Sequence, residues 1–329
     1  MSKKTRYFVA ISGAILAIGL GTGLVASYMG LPVSVFSSAA GPDELQYVPA
    51  DAAVVGYVNI REVMNSQLRQ RFKDIEPSAD EKNEFEEKTG LDFDEDIDSV
   101  IVAVTGSVAN QPQKSFLVLG KGRYEIATLE KLALDHGAQA TDYQGKRLMT
   151  HTDANTHGDD MAVAFVEADL VAFGNLEMVK KAIDAHRENR NVVSNNEMMK
   201  LVNELDNANA WAVGRFDAIA GQAGLPSELQ AQLPQITWFS AAGHINGGIS
   251  GQFKAEAKDE ASAKNLRDVL GGFLAMARMQ AANQPALQQL ADSLILSGDG
   301  KNVALAFTIP TEVLDVLEGL AKGRKGIPQ

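Results

Sequence analysis

Side chains able to do chemistry of two kinds, imidazole and carboxylate, gather within ten residues: His151, Asp153, His157, Asp159 and Asp160. Imidazole and carboxylate together suit Zn²⁺ or Mn²⁺, and a loop carrying them can wrap an ion. His151, Asp153, His157 and Asp159 are therefore the candidate metal ligands. The flanking runs read as strands, so the loop between them is a connection with nothing in the sequence to hold the two histidines in place, and a site is set apart from a polar loop by such preorganisation. A solvated loop is the ordinary reading of the same residues. A second acidic run, Asp92, Asp94, Glu95, Asp96 and Asp98, resembles a cation loop but has Ile97 where an EF-hand turn needs glycine and Ala103 where it needs a bidentate glutamate. It reads as an acidic loop ahead of a strand.

The absent motifs narrow the function classes. The chain has no cysteine, which excludes disulfides, thiolate catalysis and Cys-ligated zinc. It shows no Walker loop, nucleophile elbow or Ser/His/Asp constellation, so no catalytic residue and no cofactor is assigned. His136 and His186 fall near helix ends, where the dipole accounts for a histidine, and His244 falls at a strand end. The formal net charge of −12, with Lys3, Lys4 and Arg6 among the few cations at the start, repels phosphate backbones and excludes nucleic acid as a partner of the folded part.

The elements that must position these residues follow from periodicity. Residues 53–60, 99–104, 115–119, 146–150, 161–166 and 170–173 are apolar runs bounded by turn residues, and read as strands. Helical spacing is predicted at Ile60, Met64, Leu68, Phe72 and Ile75, at Ile126, Leu129 and Ala133, and over 176–187 with Val179, Ala182 and Ile183 inward. Ser194 with Glu197 makes a capping box for a helix carrying Met198, Leu201, Val202 and Leu205. From Ala210 the order restarts. Strands are predicted at 211–216, 237–245 and 248–255, then a helix with the stripe Leu266, Val269, Leu270, Phe273, Leu274 and Ala277, a hairpin around Gly298-Asp299-Gly300 and a last helix at 312–321. The stripe reads as a core helix, and Met149, Met276 and Met279 as core filler. The expected fold class is α+β, as two degenerate copies of a mainly antiparallel sheet with helices packed on one face, over 47–205 and 206–329.

The N-terminus sets the compartment. Residues 8–29 are almost entirely apolar or small, long enough to cross a bilayer, and follow Lys3, Lys4 and Arg6. Residues 1–35 thus read as a cytoplasmic stub and transmembrane signal anchor, and 36–46 as a tether. The orientation puts the N-terminus in, at the inner membrane, and the body in the periplasm or outside the cell. Secretion after cleavage near Ala40 is the alternative, since Ser38-Ala39-Ala40 has the small-residue spacing a signal peptidase accepts. Gly13, Ala17 and Gly21 share one face of the span and would allow close helix packing.

Val48-Pro49-Ala50-Asp51-Ala52 ahead of a strand, and Gly90-Leu91-Asp92 leading to Asp96-Ile97-Asp98-Ser99-Val100, resemble the exported, signal-anchored bacterial proteins grouped as domains of unknown function, mainly over residues 45–175. That resemblance implies export and no activity. The expected function is a non-enzymatic, membrane-anchored extracytoplasmic domain with a partner-binding or envelope-structural role, bound to a protein of the cell envelope or to itself. The alternatives are a metal-binding module or metal-dependent hydrolase using His151 and His157, and a binder of lipid or another apolar ligand.

Overall fold

The computed structural model describes residues 41–66, 89–105, 115–151, 160–205, 208–218, 235–246, 248–282 and 285–309. Residues 1–40, with Gly13, Ala17 and Gly21, lie outside them, as do the predicted helices beyond Ser66 and at 312–321. Among the described residues no helix is long and apolar enough to cross a membrane. The chain divides into two compact units, the first including Ala39–Arg61 and Pro77–Asn203 and the second Glu62–Glu76 and Glu204–Gln329, so that the short helix Ile60–Met64, which follows the first strand, straddles the division. Both are mixed α+β, and within each unit every strand pairing is antiparallel.

The first unit opens with a 3-10 turn, Asp43–Tyr47, followed by β1 (Ala52–Asn59), α1 (Ile60–Met64), the single helical turn α2 (Phe93–Asp96), β2 (Ile97–Thr105) and β3 (Ser115–Gly122). Then come α3 (Ile126–Asp135), β4 (Gln139–Tyr143), β5 (Lys146–His151), β6 (Met161–Glu167), β7 (Leu170–Asn175), α4 (Leu176–Arg187) and α5 (Asn196–Asn203). Its strand order is β1-β2-β3-β7-β6-β5-β4. The sequence reading lacked β4, because an edge strand reading Gln-Ala-Thr-Asp-Tyr, exposed along most of its length, has no apolar alternation to announce it.

The strands between carry apolar residues at nearly every position, which in an antiparallel sheet requires cover on both faces. α4 buries Met178, Val179, Ala182, Ile183 and Ala185 against the face that holds Leu117, Leu119 and Leu148. Glu130 of α3 pairs with Arg147 at 3.0 Å, and strand alternation puts Arg147 on the face opposite Leu148. The expectation of helices on one face is therefore corrected for this unit: they lie on both. Gly174 is fixed by backbone proximity, since a Cβ there would stand 2.2 Å from the Phe116 carbonyl oxygen at a φ of +156°. The cap of α5 also differs from the expected box. Asn195 Oδ1 accepts from the Met198 amide at 3.1 Å, while the Ser194 hydroxyl donates back to the Asn191 carbonyl at 2.7 Å.

The second unit contains β8 (Ala210–Arg215), a 3-10 turn at Phe216–Ala218, β9 (Ile236–Ile245), β10 (Ile249–Ala257), α6 (Glu260–Ala281), α7 (Pro285–Ser293), β11 (Ile295–Ser297) and β12 (Asn302–Ile309), in the strand order β8-β9-β10-β12-β11. α6 starts at Asp259, whose carboxylate accepts from the Ser262 amide at 2.7 Å. Ala263 and Leu266 of that helix, with Ala257 and Val303 of the sheet, form a buried cluster, and Ala255, Leu270 and Leu296 pack around it.

Candidate functional site

One end of the first unit's sheet gathers a cluster of charged side chains. Lys121 near the end of β3 is followed by Arg123 and Tyr124; Glu167 ends β6 and Asp169 lies in the turn to β7; the segment preceding β1 brings in Glu44 and Tyr47; and α2 with the start of β2 brings in Glu95, Asp96 and Asp98. Lys121 Nζ stands 2.5 Å from Glu44 Oε1, whose side chain is only 7% exposed. That carboxylate, more than any other effect, raises the lysine above its ordinary value.

The Tyr47 hydroxyl donates to Glu167, and its ring stacks on His186 with centroids 4.2 Å apart and planes 6° from parallel. Burial first, then the Glu167 carboxylate, push the Tyr47 phenol up; the same hydrogen bond holds Glu167 below the usual carboxylate range. Lys146 lies 3.5 Å from Glu167. Asp96 is held by Arg123 at 3.1 Å, and Asp98 by Arg61. Tyr124 packs edge-on to Phe165 and lays its hydroxyl over Gly120, where a Cβ would come within 2.9 Å of it. Burial, then Asp98, Asp169 and Asp96, push that phenol up.

Glu44, Asp96, Asp98 and Glu167 each meet a cation or a phenol. The partners come from distant parts of the chain. Their chemistry is that of a clasp, joining the segment ahead of β1 to β3, β6 and α4. Two backbone contacts complete it: the Val192 amide donates to the Val48 carbonyl at 2.8 Å, and Pro49 bridges Asn191. The acidic run read as a solvated loop is instead the turn α2, its Asp96 carboxylate accepting from the Asp92 amide at 2.9 Å. The sequence signalled the charges but not their partners, which lie up to 120 residues away for Tyr47 and Glu167.

His151 closes β5 opposite Met161 and is half-buried. Asp153, His157 and Asp159 lie outside the described residues; among the described residues, no three His, Asp or Glu side chains are grouped to hold a metal ion. His136 accounts for itself at a helix end, its Nδ1 lying 2.8 Å from the Leu132 carbonyl, whereas His186 gains the Tyr47 stack that its place near a helix end did not foretell.

The reading of the methionines as core filler is corrected. Met149 is buried, but Met276 and Met279 of α6 are 49% and 74% exposed, beside Phe273 at 41%. The stripe that begins as core at Leu266 has an exposed member about two turns later at Phe273, while Leu274 stays half-buried. The signal was present: nine successive residues, Val269 to Ala277, carry no charge on any face of the helix, which spacing along one face alone does not register.

The fold and this site define an α+β protein whose first unit uses its charges to fasten elements together and whose second unit presents an apolar helix end. The chain belongs to the family described as protein of unknown function DUF3352, whose model matches residues 10–297. No curated protein matches it. Among solved structures it is similar to the one titled "Structure of crystal form I of TP0453", with 15% sequence identity, a TM-score of 0.45, and coverage of 85% of this chain and 98% of that one.

Proposed function

We propose that the chain is a non-enzymatic, membrane-anchored extracytoplasmic domain that acts by holding a partner in the cell envelope. The observation that carries this reading is the clasp. The residues that follow the apolar N-terminal stretch are not a slack linker: Leu45 and Val48 are 1% and 0% exposed, and Glu44 and Tyr47 are tied to β3 and β6. A body fastened this tightly to the last residues of its tether suits a binding or envelope-structural role.

The test is intact mass and topology. Full-length chain recovered from membranes should retain residues 1–40, resist carbonate extraction, and be degraded by protease added to spheroplasts. A mature N-terminus at Gly41 would support the secreted alternative, and protection from protease would reverse the orientation.

The two units read as degenerate copies. Supporting this, a three-strand meander is followed in each by helix and then a hairpin whose last strand pairs with the meander's third strand: β1-β2-β3-β7-β6 in the first, β8-β9-β10-β12-β11 in the second. β4 and β5 are then an insertion in the first copy. Superposition of these ten strands in an experimental structure, with equivalent inward residues, tests the duplication.

A further inference from the structure

We propose that residues 272–279, in the C-terminal half of α6, are a membrane-contact element that beds into the surface of the bilayer holding the chain; this rests on the tethered reading above. The first half of α6 is an ordinary surface helix. It carries Glu260, Lys264, Arg267 and Asp268 outward and buries Ala263 and Leu266. Beyond Asp268 the character changes. Gly272, Phe273, Ala275, Met276, Ala277 and Met279 are all exposed, and at about 3.6 residues per turn they spread over more than one face of the cylinder. An amphipathic helix meeting a protein is apolar along one stripe, while a helix apolar around most of its girth requires an apolar surrounding on several sides.

Two further observations select the bilayer over a second copy. Phe273, Met276 and Met279 together expose on the order of 300 Å² of apolar side chain, well short of the roughly 800 Å² each partner contributes to a stable interface. The charge pattern also fits a headgroup surface. In a chain of net charge −12, this half-helix has no carboxylate, and its one charge, Arg278, donates from Nη2 to the Leu294 carbonyl at 3.1 Å and lies 3.7 Å from Asp292 of α7. It is a place where an acidic body can approach anionic lipid without repulsion. Since no described helix is apolar enough to cross a membrane, the element lies in the interface and does not span it.

The absence of cysteine makes the test clean. Full-length Met279→Cys and Ala261→Cys chains, each carrying an NBD fluorophore, are reconstituted into phosphatidylcholine vesicles with a minority of phosphatidylglycerol and floated. The expected result is a blue shift at 279, loss of iodide quenching and gain of quenching by doxyl-labelled lipid, with the label at 261, on the same helix, still wet. A chain that floats while the 279 label stays open to iodide overturns the inference and leaves the tethered reading standing. Shielding that ignores doxyl lipid and grows with protein density overturns it in favour of a second copy. A chain that does not float removes both readings.

Discussion

Replacing Lys121 with methionine keeps an unbranched apolar stem along the same path and deletes the ammonium opposite Glu44. Removing one member of a fully buried ion pair costs about 3–5 kcal/mol, because a desolvated charge is left alone, whereas exposed pairs contribute about 0–1 kcal/mol. This pair is mixed. The carboxylate side chain is 7% exposed and the lysine 38%, so water screens one partner and the expected cost is about 1–2 kcal/mol. Amide exchange reads it locally. The Val192 amide, bonded to the Val48 carbonyl, and the amides of Asp43–Tyr47 should lose about five- to thirty-fold in protection. In a Glu44→Gln background the same Lys121→Met change should cost far less, since no charge remains to strand. Because the glutamate raises Lys121 above its ordinary value, the pair's contribution is complete below about pH 10.4 and is lost as pH rises past the elevated value; urea midpoints of wild type and Lys121→Met should converge there. Unchanged protection in the single variant, or an equal loss in both backgrounds, would refute the clasp.

Gly174→Ala forces a Cβ to 2.2 Å from the Phe116 carbonyl oxygen in an unfavourable backbone region, where only main chain can yield; a loss of about 3 kcal/mol or more is expected in urea unfolding. Tyr47→Phe keeps the ring on His186 but loses the bond to Glu167, at about 1 kcal/mol, because that carboxylate is partly exposed. Glu167 is held below its usual range chiefly by that bond, so the deficit is present above about pH 4.3 and disappears as acid protonates the carboxylate. Asn195→Ala should destabilise α5 by about 1 kcal/mol and Ser194→Ala by clearly less, in thermal melts; the reverse order would restore the capping box. Elemental analysis of the full-length chain after exposure to zinc and manganese should find no stoichiometric ion, and an ion lost in His151→Ala would instead establish the metal-binding alternative.

Much of the architecture was legible because local patterns decided it. The apolar runs at 99–104, 161–166 and 170–173 became β2, β6 and β7, and the helix predicted over 176–187 appeared with Val179, Ala182 and Ile183 buried. In each case a residue's own period states which side must leave water. β4 escaped because an edge strand buries little.

What only the tertiary structure decided were the partners and the extent of burial. Tyr47 with Glu167, Glu44 with Lys121 and Arg61 with Asp98 are pairings between segments far apart in the chain, and no local period encodes which cation a carboxylate will meet. The methionines make the same point from the other side. Met149 and Met279 are alike in type and both lie in regular elements, yet one is 1% and the other 74% exposed. Periodicity tells which face of a helix is apolar; how much of it is covered is settled by the tertiary packing, which buries Ala263, Leu266 and Ala281 of α6 and leaves Phe273, Met276 and Met279 open.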